Sequence, residues 1–282
     1  MNSMWNKLTD FNIEELAETR KQIHQAVQLA ALTGRAFLPK VDDDHYASLL
    51  WLEDKNLLAG QAWGKDKIKT AINFENFTLC FLNKDNNIVG SFTLEGKTFS
   101  EAFDWLKEQV NLLGEDAEKL SLEFPYEIPV YPTAGGSPFL FTNEKLFNEL
   151  GKYFANANLV LKDVVNNNNE ASPIACWPHH FDIATLIVLD NSNNNYKSIG
   201  VGLSPGDDNY NEPYFYITPW PYPKTGGVTL PGLPSGGFWH TNGWVGAILI
   251  ATEILKYITS EDQHSAVQKF INKGIKEAKC LL

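Results

Sequence analysis

The segment at residues 177–182, with the sequence WPHHFD, holds the densest group of residues able to do chemistry. His179 and His180 are adjacent, and Asp182 follows two residues later. Imidazole titrates near neutral pH, and a neighbouring carboxylate can fix its tautomer or bind a metal beside it. If the segment is an extended strand, alternate side chains point to opposite faces. We would then expect His180 and Asp182 on one face and His179 on the other.

Other candidate ligands and catalytic groups follow later in the chain: Asp207, Asp208, Glu212 and His240. Catalytic metal sites usually combine three imidazole or carboxylate ligands with one water. His180, Asp182 and His240 would supply such a set, and the other acids would serve as ligands or as hydrogen-bond partners. The chain contains neither an HExxH nor an HxH motif. A divalent metal is therefore one hypothesis for a cofactor, whose identity the sequence leaves open.

The same residues allow three interpretations without a metal. His180 or His240 would act as a general base oriented by Asp182, although no GxSxG motif marks a nucleophile. The residues would alternatively line a noncatalytic binding pocket. In the third interpretation they are structural, with Asp207 and Asp208 forming a turn after a glycine and the histidines satisfying backbone groups.

Aromatic residues are concentrated between residues 177 and 244, and they favour a pocket for a small molecule or a sugar. On a strand, Tyr214 and Tyr216 would share the pocket face if Phe215 faces the core. The remaining candidates for the pocket wall are Trp220 and Trp239.

Polar residues also recur along the first predicted helix, at residues 13–33. Arg20, His24 and Gln28 are spaced by four, so they lie along one line of the helix surface. Such a row is either a solvated face or a polar row that points into a cleft. Arg20 and His24 are accordingly included among the candidate ligand-binding residues.

The surrounding elements predict an α+β fold with antiparallel sheet and about five helices, two of them at the C-terminus. The predicted helices cover residues 13–33, 99–113, 143–161, a stretch from 244, and 261–279. Gly34 is expected to end the first helix in a left-handed conformation, and capping boxes are expected at Thr98 with Glu101 and at Ser260 with Gln263. Short strands separated by turn residues are expected at 48–52, 68–74, 77–82, 88–94, 174–189, 198–203 and 214–218. A proline-rich segment at 125–138 divides residues 1–124 from residues 125–282, which carry the site, within one compact body.

The overall composition limits the classes of partner. The 282 residues are 44% hydrophobic, which is sufficient for a large core, and the net charge of −11 disfavours nucleic acid and anionic membranes. Three dispersed cysteines and no secretory signal predict a cytoplasmic protein, and no apolar segment is long enough to span a bilayer. We expect a small-molecule partner, and the oligomeric state is left open.

The WPHHFD segment, the SPGD sequence at 204–207 and the EPYFY and PWP sequences at 212–216 and 219–221 carry a family resemblance. Together with the row that begins at Thr19 and Arg20, they resemble a bacterial family built on a domain of unknown function. The similarity covers most of the chain. It implies no established activity, so the candidate site rests on the residues themselves.

Overall fold

The structure is a computed structural model that describes residues 4–41, 44–192, 195–227 and 229–282. The chain forms two compact units that interleave along the sequence. The first unit comprises Glu14–Gly151 and Ala175–Phe181, and the second comprises Met1–Ile13, Lys152–Ile174 and Asp182–Leu282. The proline-rich segment at 125–138 lies inside the first unit, where Pro132–Gly135 forms a short 3-10 helix.

The strands of the first unit form an antiparallel meander in the order β6-β1-β2-β3-β4-β5. Their bounds are β1 (Leu49–Leu52), β2 (Leu57–Gly60), β3 (Lys69–Asn73), β4 (Thr78–Leu82), β5 (Ile88–Thr93) and β6 (Ala175–Trp177). The unit also contains α1 (Ile13–Phe37) and α2 (Phe99–Leu112), and α3 (Glu144–Asn167) begins in it. Strand β2 was not predicted, because its short apolar run follows β1 after only four residues.

The strands of the second unit are also antiparallel, in the order β10-β11-β9-β8-β7. Their bounds are β7 (Asp182–Asp190), β8 (Lys197–Ser204), β9 (Tyr214–Trp220), β10 (Phe238–His240) and β11 (Gly246–Ile250). A short helix α4 (Ala251–Ile254) and the long helix α5 (Ser260–Leu281) complete the unit. The described elements thus confirm the predicted α+β class with antiparallel strands and five α-helices.

Alternation along β9 gives the sheet of the second unit one core face and one outer face. Phe215 and Ile217 are fully buried, and α5 packs against β9 and β8 on that side. A Cβ at Gly274 of α5 would lie only 2.5 Å from Cδ1 of Ile217, so a glycine is needed for this close packing. Tyr216 and Trp220 therefore lie on the outer face, as expected if Phe215 belongs to the core.

Gly34 does not end α1, contrary to its predicted role as a left-handed stop. The helix continues to Phe37, and Gly34 is buried within it. A Cβ at this position would lie 2.2 Å from the carbonyl oxygen of Tyr46. The glycine is therefore required by a close backbone approach, a contact between distant segments that a local capping rule does not detect.

The helix predicted to begin near Trp244 is mainly a strand. Residues Gly246–Ile250 form β11 and pair on both sides, with β9 and with β10. Only Ala251–Ile254 is helical. The apolar run fits a buried strand as well as a helix, and pairing on both edges decides in favour of the strand.

The capping box predicted for α2 is confirmed. The Thr98 side chain accepts a hydrogen bond from the Glu101 amide, and the Glu101 carboxylate accepts one from the Thr98 amide. In α5, by contrast, the N-cap is Thr259 and not Ser260. Among the described helices, none is long and apolar enough to cross a membrane.

Candidate functional site

The WPHHFD segment is a turn and not a continuous strand. Strand β6 ends at Trp177, the Phe181 amide donates to the Trp177 carbonyl over 2.7 Å, and Phe181 has a φ of +56°. The expectation that His180 and Asp182 share a strand face was therefore wrong, because alternation requires extended backbone. His180 is exposed and His179 is half-buried, and their ring centroids lie 4.2 Å apart.

The polar row of α1 points into the first unit and binds this turn. Gln28 Nε2 donates to the Pro178 carbonyl over 2.6 Å, and Gln28 Oε1 accepts from the Tyr126 hydroxyl over 3.0 Å. His24 Nε2 lies 3.0 Å from the same carbonyl, and His24 Nδ1 lies 2.8 Å from the Tyr131 hydroxyl. A carbonyl can only accept, so Nε2 carries the proton and Nδ1 accepts from Tyr131.

Burial sets the charge of this cluster. Desolvation lowers the pKa of His24 to about 4, and the nearby Arg20 charge acts in the same direction. Desolvation and the charge of His180 lower the pKa of His179 to about 4. Burial raises the pKa of Tyr126 to about 12. The cluster is therefore neutral at these positions near pH 7 and fixes one tautomer of His24.

In the second unit, Tyr216 reaches across a neighbouring strand to Asp182. Gly202 on β8 pairs with Tyr216 on one side and with Ala184 of β7 on the other. A Cβ at Gly202 would lie 2.6 Å from the Tyr216 hydroxyl oxygen. The absent side chain lets the tyrosine ring lie over β8, and its hydroxyl donates to Oδ2 of Asp182 at the start of β7.

Tyr214 makes a second tyrosine–carboxylate pair, with Asp207. Its hydroxyl donates to Asp207 Oδ2 over 2.6 Å, and burial together with this contact raises the Tyr214 pKa. Asp207 Oδ1 accepts from the amides of Asn209 and Tyr210, at 2.7 and 3.1 Å. Asp207 thus also holds a turn, as in the structural interpretation, while Asp208 is exposed.

His240 lies in an aromatic cluster near the same tyrosines. Its Nδ1 is 2.8 Å from the Tyr210 hydroxyl, and its Nε2 is 2.7 Å from the Asn242 carbonyl. Its ring stacks on Trp244 with centroids 4.3 Å apart. Tyr210 in turn contacts the Tyr214 ring at 5.1 Å between centroids. A row of rings therefore runs from Tyr216 through Tyr214 and Tyr210 to His240 and Trp244.

Glu212 and Trp239 make contacts of their own. Glu212 Oε2 accepts from the amide and the hydroxyl of Thr252, at 2.6 and 2.7 Å, at the start of α4. Trp239 Nε1 donates to the Pro231 carbonyl over 2.8 Å. These contacts order local backbone, which is a structural role, and the ligand-binding role of the two residues stays a prediction.

The outer face becomes open to solvent towards the end of β9. Trp220 is 49% exposed and Tyr222 is 43% exposed, and their rings meet edge to face at 5.1 Å between centroids. Strand alternation puts Trp220 on the face that carries Tyr216 and Thr218. On β8, Ser198 pairs with Trp220 and Gly200 pairs with Thr218, so the residues beside the exposed tryptophan are small.

Within each unit the structure brings together some of the predicted residues. His24, His179 and His180 belong to the first unit, whereas the candidates from Asp182 to His240 belong to the second. Within the described ranges, no three histidine, cysteine, aspartate or glutamate residues are placed so that they could hold a metal ion. The geometry within the second unit instead consists of three pairs: Tyr216 with Asp182, Tyr214 with Asp207, and Tyr210 with His240.

Sequence reasoning missed Gly202 as a residue of the site. The signal was the alternation of Ser198, Gly200, Gly202 and Ser204 along β8, shortly before the alternating aromatics of β9. Small residues on every second position leave room above one strand face, which long side chains from the next strand can fill. Tyr216 fills this room only because β9 pairs with β8, and a pattern within one strand does not reveal which strand lies beside it.

Fold and site together define an α+β protein whose second unit carries tyrosine–carboxylate pairs on the outer face of an antiparallel sheet. No protein-family model matches the chain, and neither a curated protein nor a solved structure matches it.

Proposed function

We propose that the protein is a binding module for a small, hydroxyl-rich molecule, held on the outer face of the second unit's sheet. The observation that carries this proposal is the Tyr216–Asp182 hydrogen bond over Gly202. Both side chains are half-buried, and Oδ1 of Asp182 is itself buried, so the carboxylate is held in one orientation. Carboxylate oxygens accept hydrogen bonds from ligand hydroxyls, and a pre-oriented acceptor loses little entropy on binding.

The exposed aromatic residues supply the second half of such a site. Trp220 shares a strand face with Tyr216, and Tyr222 packs against it edge to face. The C–H faces of a sugar ring or polyol pack well on an aromatic ring while its hydroxyls bond to polar groups at the side. Thr218, which lies between Tyr216 and Trp220 on this face, adds a half-buried hydroxyl.

A thermal-shift screen of monosaccharides, polyols and amino sugars, followed by calorimetry on any hit, tests the proposal. We expect a hit to raise the melting temperature of the wild type, and Asp182→Asn and Trp220→Ala to abolish the shift. Tyr196→Ala is the matched control, since Tyr196 is an exposed aromatic of the same unit at 40% exposure. The proposal is wrong if no compound shifts the wild type, or if both site variants bind as well as the control.

A second candidate function, acid–base catalysis, is favoured by the Tyr210–His240 pair. The Asn242 carbonyl accepts the Nε2 proton, so Nδ1 is the basic nitrogen and faces the Tyr210 hydroxyl. Catalytic sites use the same order of groups: a hydroxyl that acts as nucleophile or acid, an imidazole that acts as base, and a third group that orients the imidazole. Under this proposal the protein converts a bound compound to a product. The Tyr210→Phe variant should stop this turnover and should bind the compound with the same affinity as the wild type. Unaltered turnover in that variant would contradict it.

We further propose a cytoplasmic location. Cys80, Cys176 and Cys280 are all free thiols, and two of them are buried. Free thiols persist in reducing compartments. Recovery of the native protein in a periplasmic or secreted fraction would contradict this proposal.

A further inference from the structure

A groove on the second unit is lined by three lysines of α5 and by a loop. The groove has a volume of about 650 Å³. Lys269, Lys273 and Lys276 come from the helix, with Asn272 between them, and Gly232, Leu233 and Pro234 form the opposite wall. Among the described residues, no acidic side chain lines it. The groove shares no residue with the tyrosine row, so its ligand is independent of the proposed function.

The three lysines lie along one stripe of the helix. Their spacing of four and three residues puts them on the same face, and Lys269 and Lys276 are about 10 Å apart along the axis. Lys273 is paired with Glu277. Neither Lys269 nor Lys276 forms an ion pair with another residue that the structure describes. Two ammonium groups that have no ion-pair partner in the described part of the chain thus line one groove on a protein of net charge −11.

The opposite wall is held in place by contacts at both ends. The Ser235 hydroxyl donates to the Ala266 carbonyl of α5 over 2.9 Å, and Trp239 Nε1 donates to the Pro231 carbonyl. Gly237 lies so close to Phe270 that a Cβ would be 2.7 Å from its ring. The wall is therefore pre-organised, which reduces the entropy that a ligand must overcome.

We propose that this groove binds an organic polyphosphate, the chemistry of a nucleoside diphosphate. A chain of phosphates extends along the ammonium groups of Lys269, Lys273 and Lys276, and the Asn272 amide donates a further hydrogen bond. Lysine binds phosphate as a point charge, and its aliphatic stem contributes apolar surface. The apolar body of the ligand lies on Leu233 and Pro234. A single phosphate would engage only part of a stripe of this length.

Isothermal titration calorimetry with ADP and with inorganic pyrophosphate tests the assignment. We expect saturable binding of both probes, with ADP the tighter, and weaker binding at higher salt. The double variant Lys269→Gln/Lys276→Gln should lose about tenfold in affinity for both probes. The control Lys65→Gln/Lys84→Gln makes the same charge change on exposed residues of the first unit and should bind as the wild type does.

Leu233→Ser separates the two parts of the proposed ligand. It should weaken ADP and leave pyrophosphate unchanged, since only ADP has a body to lie on the loop. The melting temperature of each variant shows that it is folded. The assignment is overturned if the wild type gives no saturable heat with either probe. It is equally overturned if the control pair loses as much affinity as the groove pair, because binding would then follow net charge and not this site.

Discussion

Gly202 is the residue on which the Tyr216–Asp182 contact depends. Gly202→Ala would place a Cβ 2.6 Å from the Tyr216 hydroxyl oxygen and 2.7 Å from the Ile183 carbonyl oxygen. The tyrosine can rotate away, but the backbone carbonyl cannot move freely. We expect the variant to lose the hydrogen bond and about 2 kcal/mol of unfolding free energy, measured by urea denaturation.

Gly200→Ala is the matched control, two residues earlier on the same strand and face. Its Cβ would meet its nearest neighbours at 3.9 Å, an ordinary contact. We expect the free energy of unfolding to change by no more than about 0.5 kcal/mol. Alanine lowers the conformational entropy of the unfolded chain, and this gain offsets a small cost in the folded state. Equal losses in the two variants would show that any side chain on this face of β8 is harmful, and that the Tyr216 crossing is not the cause.

His24 makes the stability of the protein sensitive to acid. Its folded pKa of about 4 is below its ordinary value of 6.5, so the unfolded chain takes up the proton at higher pH than the folded chain does. Stability is therefore full above pH 6.5 and falls as the pH decreases towards 4. The total loss from this residue is on the order of 3 kcal/mol. His179 acts in the same direction, less strongly because it is half-exposed.

Denaturation curves of the wild type and of His24→Gln, taken between neutral pH and the acid end of this window, isolate the contribution of His24. The variant should be less stable at neutral pH, since it loses the bond to Tyr131 or to Pro178. Its stability should also fall less steeply with acid, because a titrating group has been removed. Parallel curves for the two proteins would mean that the pKa of His24 is the same in the folded and the unfolded chain, and that burial does not lower it.

At the scale of elements, the features that the sequence predicted well are local. The capping box at Thr98 and Glu101 lies within one helical turn, and the turns of the β-meander are formed by adjacent residues. Gly34 and the stretch from residue 244 were predicted wrongly for a shared reason. The structure of each is decided by a distant partner, the Tyr46 carbonyl in one case and strands β9 and β10 in the other.

The WPHHFD segment shows the same limit at the candidate site. Residue types alone singled out this segment for its histidines and its carboxylate. Their directions depended on backbone that was assumed to be extended, whereas Phe181 has a positive φ and closes a turn. The tyrosine–carboxylate pairs could not be predicted either, because each joins residues whose neighbourhood is set by strand register.

At the scale of the whole chain, Gln263 connects the N-terminal segment to α5 within the second unit. Its Oε1 accepts from Trp5 Nε1 and from the Leu8 amide, and its Nε2 donates to the Leu8 and Tyr257 carbonyls. The side chain is 1% exposed. The sequence suggested that Gln263 belonged to a capping box, but these bonds all go to residues outside α5.

Gln263→Leu would leave the buried groups of Trp5 and Leu8 without these partners. We expect a loss of about 2 to 4 kcal/mol in unfolding free energy. Gln268→Leu is the control, since Gln268 lies on the same helix and bonds at the surface, to Asp163. Deleting residues 1–9 should cost a similar amount. Adding Gln263→Leu to the deletion should then cost little more, because the partners are already absent. Fully additive losses would mean that Gln263 stabilises α5 by itself, and that it does not hold the N-terminal segment.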